Sequence, residues 1–286
     1  PRGETAPSCP NRSFLAHAAI YGFGALALQA ASVILVPLYT RCLTPAEFGV
    51  LEMLSRIGEV FSVCLLANGI RLAAFTFYCQ ATTEQNRKRT ATTVIFAQLI
   101  LLAASALLAA ALIPYLYLLT GIDDSTMVLF AILLVMLEGI TAVPLTLIQA
   151  RVESAYYVWV TAAMFCFRVT VTILAVAGFR WGVWGVLGAS ALTSVLFGAY
   201  LTGRELRKSS FLFDARELRE VLKFAVPFLP VGVCGMLLHN GDRFFLMNFG
   251  GADQVGQYAL GYKLVWAVTL LSTGPLCQVW SASMYQ

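Results

Sequence analysis

Long apolar stretches separated by short polar connections run along almost the whole chain. Each stretch is about 20 residues long, which is the length that an α-helix needs to cross a hydrocarbon core of roughly 30 Å. None shows the alternation of apolar and polar residues that is typical of a barrel strand. The pattern predicts eight membrane-spanning helices, at 14–40, 48–68, 91–119, 126–149, 157–178, 183–201, 224–247 and 257–280.

Composition leads to the same class. Hydrophobic residues make up 59% of the chain and charged residues only 12%, which is far from the balance of a soluble globular domain. The predicted fold class is therefore all-α, a polytopic transmembrane helix bundle.

The basic residues indicate the orientation of this bundle. The short connections fall into two alternating sets, 41–47, 121–125, 179–181 and 250–254 on one side, and 80–90, 151–155 and 202–223 on the other. The second set and the amino-terminal tail hold twelve basic residues, against two in the first set. Because basic residues near span ends are retained in the cytoplasm, the amino terminus and 202–223 are predicted to be cytoplasmic. The net charge of +4 is thus a topology signal, and no nucleic-acid partner is implied.

Three charged side chains interrupt the second predicted span. Glu52, Arg56 and Glu59 are spaced by four and three residues, so they lie within about 60° of each other around a helix. A charge at bilayer depth costs about 3 kcal/mol, so it usually faces a bundle interior or a water-filled cavity. Two interpretations stay open: the stripe lines a cavity, or its members neutralise one another and fix the rotation of the helix.

Later spans carry further charges. Arg168 lies midway through 157–178 and Glu138 midway through the preceding span, and an isolated guanidinium there needs a carboxylate, a carbonyl or a phosphate as partner. Contact with a substrate and a structural bridge to Glu138 are equally compatible with Arg168. Asp242 and Arg243 are adjacent, but side chains of adjacent helical residues point about 100° apart, so the two need not pair.

The connection 202–223 contains DARELREVLKF, in which apolar and charged residues alternate as in a short amphipathic helix on a membrane surface. Asp214 is in place to cap its amino terminus. We expect a surface linker between two bundles rather than a partner-binding element.

No cofactor, metal site or catalytic residue is predicted. The seven cysteines show no paired spacing, and His17 and His239 are far apart in sequence. The chain contains no Walker loop, nucleophile elbow or HExxH motif, which argues against an ATPase within it.

An internal repeat organises the chain. A shift of 207 residues lays Gly49 on Gly256 and Arg56 on Lys263, and carries the first two predicted spans onto the seventh and eighth. Six spans per repeat is an even number, so the copies would be parallel repeats about an axis along the membrane normal, enclosing a central cavity. The predicted parts are a six-helix lobe at 1–201, a cytoplasmic linker at 202–223 and the first two helices of a second lobe at 224–286. We expect a fragment of a protein with about twelve spans.

Two runs carry a family resemblance, VPLYTRCLTPAEFGVLEML and GDRFFLMNFGGADQVGQYALGYKL. With the six-span repeat, they resemble the polysaccharide-transport (O-antigen) flippases of the multidrug/oligosaccharidyl-lipid/polysaccharide exporter superfamily. The resemblance implies alternating access and export of an undecaprenyl-pyrophosphate-linked oligosaccharide, such as a lipopolysaccharide precursor, across the bacterial inner membrane. Its implied partners are this lipid-linked oligosaccharide, membrane lipids, glycosyltransferases and a glycan polymerase.

An anionic, hydrated head group requires a cationic cavity that is open towards the lipid. The candidate substrate-binding residues are Arg56, Arg168, Arg243 and Lys263, and the candidate ion-pair or coupling residues are Glu52, Glu59, Glu138 and Asp242. One alternative is an ion-coupled multidrug antiporter that would use these carboxylates, although the arginines at comparable depth favour an anionic cargo. A third alternative, a membrane glycan polymerase or ligase, conflicts with the short external connections, so no enzyme is predicted.

Overall fold

The computed structural model describes Pro37 and residues 41–64, 67–120, 125–208 and 213–284. Its α-helices, in chain order, are α1 Pro45–Cys64, α2 Ala67–Gln80, α3 Glu84–Thr120, α4 Ser125–Ala150, α5 Ser154–Ile173, α6 Gly182–Lys208, α7 Ala215–Ala225 and α8 Phe228–Met284. A π turn at Leu174–Gly178 continues α5. The described residues contain no strand, and the predicted all-α class is confirmed. The predicted span 14–40 lies outside the described residues.

The helices form a multi-pass membrane bundle. Among the described residues, four helices are long and apolar enough to cross a membrane, and α1 with α2 would make a fifth span, bent by 49°. The centre of the bundle is α4, which packs against α1, α2, α3 and α6. Between α1, α4 and α6 the core consists of fully buried apolar side chains such as Leu54, Ile132 and Leu187.

A capping box starts α1. The backbone N–H of Thr44 donates to Oε2 of Glu47 at 2.8 Å, and the backbone N–H of Glu47 donates to Oγ1 of Thr44 at 3.2 Å. This reciprocal pair satisfies N–H groups that lack a partner inside the helix, and Pro45 suits the first helical position because it has no N–H to satisfy. The turn from Thr44 to Glu47 therefore serves to begin the helix.

Several predicted boundaries are wrong. The span predicted at 48–68 ends too early, since α2 continues the path to Gln80 after the bend. Asn68 and Arg71, which follow the bend, line a cavity, so their polarity does not require the chain to leave the bundle. The loop predicted at 250–254 is helical except for Gly251, whose φ of 74° permits a sharp kink.

The linker helix α7 is present, but its apolar face meets protein rather than a membrane surface. Its cap is confirmed, since Asp214 Oδ1 accepts from the backbone N–H of Arg216 at 2.8 Å. Val221 and Ala225 are completely buried in a core shared with α2 and α3. Gly69 of α2 makes this possible, because a Cβ there would lie 2.7 Å from the carbonyl oxygen of Ala225.

The two sets of connections stay together in the fold. At one end, Arg151 pairs with Glu205 and Arg89 pairs with Asp214. At the other end, Gly256 packs against Pro45. Connections 80–90, 151–155 and 202–223 therefore contact one another, and 41–47 contacts the residues just after 250–254.

The repeat-related glycines meet in the seam between α1 and α8. A Cβ on Gly49 would overlap the carbonyl oxygen of Ala252 and lie 3.0 Å from the backbone nitrogen of Gly256. A Cβ on Gly256 would overlap the carbonyl oxygen of Pro45 and lie 3.1 Å from the backbone nitrogen of Gly49. Equivalent residues touch in this way where a two-fold axis passes between two related helices, and small residues permit such close approach in membranes.

Gly49→Ala tests the seam. We expect a loss of about 1–3 kcal/mol in stability, because the added methyl group forces the two backbones apart. Gly188→Ala in α6 is the matched control, since a Cβ at Gly188 meets nothing within 4 Å and alanine favours the helix. Thermal unfolding in detergent measures both variants, and equal stability of the two would contradict the close approach.

Candidate functional site

The charged stripe of α1 lies in the middle of that helix. Arg56 is about 16 Å along α1 from its first residue, roughly half of a hydrocarbon core. Its Nη1 lies 2.7 Å from Oε2 of Glu59, and its Nη2 lies 3.5 Å from Oε2 of Glu52. The three side chains therefore form an internal ion network, as the second interpretation of the stripe proposed. Glu59 still exposes 42% of its side chain, so the network is open on one side.

Asn240 of α8 connects this stripe to the second repeat. Its Oδ1 accepts from Nη1 of Arg56 at 2.9 Å and from Nη1 of Arg243 at 2.8 Å. Its Nδ2 donates to Oε2 of Glu59 at 3.1 Å. Two guanidinium groups, one from each repeat, thus converge on one amide oxygen.

Glu52 is held from both repeats. Lys263 of α8 pairs with its Oε1, while Arg56 approaches its Oε2. The Nζ of Lys263 also lies 4.7 Å from the ring centroid of Phe48, a cation–π distance. Only 3% of Glu52 is exposed, so the carboxylate depends on these two cations for compensation. Arg56 and Lys263, which the repeat relates, lie on either side of one acid rather than around an empty anion site.

Asp242 and Arg243 point in different directions, as expected for adjacent helical residues. Arg243 is buried, and its guanidinium lies 4.7 Å from the ring centroid of Tyr262. Asp242 is exposed, and its carboxylate accepts hydrogen bonds from the hydroxyl of Tyr258 and from the backbone N–H of Arg243.

These side chains make up what we call the seam cluster: Glu52, Arg56, Glu59, Asn240, Asp242, Arg243 and Lys263. Three carboxylates and three cations leave it without formal net charge. Within the described part of the chain, Nε of Arg56 and Nε of Arg243 are buried without a hydrogen-bond partner. Unmet guanidinium donors are costly in a medium of low dielectric constant, so an incoming acceptor would be stabilised there.

Arg168 and Glu138 form a separate pair between α5 and α4. Nη1 of Arg168 lies 3.3 Å from Oε1 of Glu138, and both side chains are partly exposed. Glu138 also lines a cavity of about 160 Å³ with Arg71 and Gln98. Gly139 leaves room for the amide of Gln98, which would lie 2.6 Å from a Cβ at that position. The bridge between Arg168 and Glu138 is present, while a contact of Arg168 with substrate stays a prediction.

The sequence interpretation did not select Asn240 or the tyrosines of α8 as functional. A signal for Asn240 was available, because it is a polar residue within a span, three positions before Arg243 and so on the same helical face. Tyr258 contacts Asp242, and the ring of Tyr262 lies against Arg243. Both contacts join residues on opposite sides of the kink at Gly251, so the sequence pattern alone did not indicate them. Among the side chains that the structure describes, no group of three or more His, Cys, Asp or Glu could hold a metal ion.

Comparison with known proteins gives one family and one fold. A family model described as polysaccharide biosynthesis protein matches residues 14–280. No curated protein matches the chain. The solved MATE multidrug transporter DinF-BH is similar with a TM-score of 0.70 at 13% identity, over 95% of this chain and 64% of that chain. An inward-facing multidrug resistance MATE family transporter of the MOP superfamily is similar with a TM-score of 0.62 at 16% identity, over 89% of this chain and 60% of that chain. The chain therefore spans less than two thirds of either transporter.

A double-mutant cycle on Glu52→Gln and Lys263→Gln tests the link between the repeats. Because Glu52 is buried, we expect a coupling free energy of about 1–3 kcal/mol, measured by denaturant unfolding in detergent. The control cycle uses Glu153→Gln and Lys208→Gln, a pair 3.8 Å apart whose side chains are 32% and 43% exposed, for which we expect at most about 1 kcal/mol. Additive effects of the two Glu52 and Lys263 changes would show that the pair does not hold the seam.

Proposed function

Because this chain belongs to the polysaccharide biosynthesis family, within the MOP superfamily of membrane transporters, we propose that it is part of a flippase for a lipid-linked oligosaccharide. The cargo is an oligosaccharide on undecaprenyl pyrophosphate, moved across the bacterial inner membrane by alternating access. Glycosyltransferases that build the glycan and a polymerase that extends it act before and after this step.

The chemistry of such a cargo defines what the carrier has to supply. The pyrophosphate and the sugar are charged and hydrated, so they need a polar path, while the isoprenoid tail can remain in the surrounding lipid. Arginine is suited to phosphate because its planar fork donates two parallel hydrogen bonds. The proposal therefore requires guanidinium groups between the repeats at mid-membrane depth.

The convergence of Arg56 and Arg243 on Asn240 is the observation that carries the proposal. Each guanidinium has a buried Nε without a hydrogen-bond partner among the described residues. A phosphate oxygen that replaced the amide oxygen of Asn240 would bring a negative charge to two cations from two repeats. The two guanidinium groups would then donate to a phosphate oxygen of the cargo in place of the amide oxygen of Asn240.

The position of the seam supports a mechanism of alternating access. The close contacts of α1 with α8 run from the glycine pair, near the outward connections, down to the seam cluster. In the proposed cycle, α1 and α8 stay in contact while the cavity is open to the cytoplasm. Separation of α1 from α8 then opens the cavity to the other side of the membrane. The orientation in this proposal places the basic connections, and with them the amino terminus, in the cytoplasm.

An ion-coupled multidrug antiporter is the second candidate. The similar solved structures are described as multidrug transporters, and Glu59 and Glu138 are partly exposed carboxylates that a cation could reach. For that function the carboxylates would carry the cargo or the coupling ion, and the arginines would serve only to balance them.

Arg56→Ala and Arg168→Ala, made in the intact protein, test the flippase. We expect each change to reduce translocation of an undecaprenyl-pyrophosphate-linked oligosaccharide in proteoliposomes by about tenfold or more, which corresponds to one charge-assisted hydrogen bond. Arg219→Ala, an exposed arginine of α7, is the control and should leave transport unchanged.

Two further measurements make the result decisive. Arg56→Lys keeps the charge and the pairing with Glu52 but removes the planar fork, so it should fold normally and transport poorly. Near-wild-type transport in both alanine variants would exclude the cationic path. Efflux of an organic cation that is lost in Glu59→Gln and Glu138→Gln, without oligosaccharide transport, would establish the antiporter instead.

A further inference from the structure

A second polar cavity lies at the end of the bundle that the sequence predicts to be cytoplasmic. It has a volume of about 700 Å³ and is formed by the end of α2, the start of α3, the turn between α4 and α5, and the end of α6. Its charged lining residues are Glu84, Arg87, Lys88, Arg151, Glu153 and Lys208. We call it the basal groove.

The walls of the basal groove are built around one buried acid. Glu205, which is completely buried, accepts from both terminal nitrogens of Arg151, one of them at 3.2 Å. Nε of Arg151 donates to the hydroxyl of Tyr78 at 3.0 Å. Burial lowers the pKa of Arg151, but Glu205 and Tyr78 outweigh that effect and raise it above its ordinary value. The back wall is therefore a fixed, permanently charged structure.

The remaining charges leave the groove positive. Glu153 is shared by Arg204, at 3.3 Å, and Lys208, at 3.8 Å. With Glu205 and Arg204 included, five basic side chains face three acidic ones, which gives a net charge of +2. Lys88 has no carboxylate partner among the described residues, and Arg87 uses its Nε on the carbonyl oxygen of Ala81 at 3.1 Å. The terminal nitrogens of Arg87 and the ammonium of Lys88 are thus left for an anion.

The lip of the groove is strained and lies beside an aromatic belt. Val152 adopts a φ of 60°, which is unusual for a β-branched residue, and 54% of it is exposed. The guanidinium of Arg204 lies 3.9 Å from the ring centroid of Tyr156, whose hydroxyl lies 3.4 Å from that of Tyr200. Tyrosines concentrate at the level of lipid head groups, so the groove opens at that level.

We propose that the basal groove binds the phosphate of an anionic phospholipid head group, held by Arg87, Lys88 and Lys208, with the acyl chains outside along the Tyr156 and Tyr200 face. Basic pockets between membrane helices on the cytoplasmic side suit such head groups. Val152 presents an apolar side chain at the lip, where the head group gives way to the acyl chains. This site is separate from the seam cluster, and it does not depend on which cargo the protein carries.

The experiment is lipid binding to the intact protein in detergent, followed by native mass spectrometry. Phosphatidylglycerol is titrated against phosphatidylcholine with the same acyl chains, on the unmodified protein and on the double variant Lys88→Gln, Lys208→Gln. We expect preferential binding of phosphatidylglycerol, weakened roughly tenfold or more in the double variant, since each basic residue near an anionic head group contributes a factor of about five.

Two controls separate the groove from general surface charge. Arg207→Gln removes an exposed cation beside Lys208 that does not line the groove, and it should bind phosphatidylglycerol as the unmodified protein does. Lys88→Arg with Lys208→Arg should restore binding. Equal binding of the two lipids, an equal loss in Arg207→Gln, or displacement of the lipid by inorganic phosphate at a similar concentration would each overturn the proposal.

Discussion

A carboxylate buried in a membrane helix has to be neutralised where it stands, because hydrocarbon supplies neither water nor counter-ions. Glu52 is such a group, and its two oxygens are met by Arg56 from its own helix and Lys263 from the other repeat. This requirement fixes the rotation of α1 and brings the second half of α8 against it. The contact of Gly49 with Gly256 follows, since the two helices approach only where both lack a side chain.

The balance of charges in the seam cluster also affects how the seam would open in a transport cycle. A ligand shifts a conformational equilibrium only by binding one state more tightly than the other. In the closed seam the guanidinium groups of Arg56 and Arg243 are occupied by Asn240, so an anionic cargo would compete for donors already in use. Opening the seam separates these partners and leaves the cations in need of a new acceptor. Binding of a phosphate group and separation of the repeats would then favour each other.

The end of the bundle that holds the basic connections depends on a different arrangement of charge. There α7 is attached to α2 and α3 by its apolar face, by Arg89 with Asp214, and by the edge contact of Phe77 with Phe224 at 5.8 Å. The short helix therefore ties the start of α8 to α2 and α3 rather than floating on the membrane. The basal groove beside it keeps a positive surplus, in contrast to the balanced seam.

The sequence by itself determined the all-α class and most of the helices, because hydrophobic length acts locally along the chain. The internal repeat and the side of the membrane on which each connection lies stay predictions. The sequence also determined that Glu52 and Arg56 share a helical face, which the 3.6-residue period requires. Only the tertiary structure decided which cation meets which acid across helices. The sequence related Lys263 to Arg56 as equivalents, yet the fold sets both on Glu52, because a contact between helices depends on their rotation and spacing. For the same reason, the burial of Val221 of α7 against α2 and α3 was decided by packing and not by the amphipathic pattern of that helix.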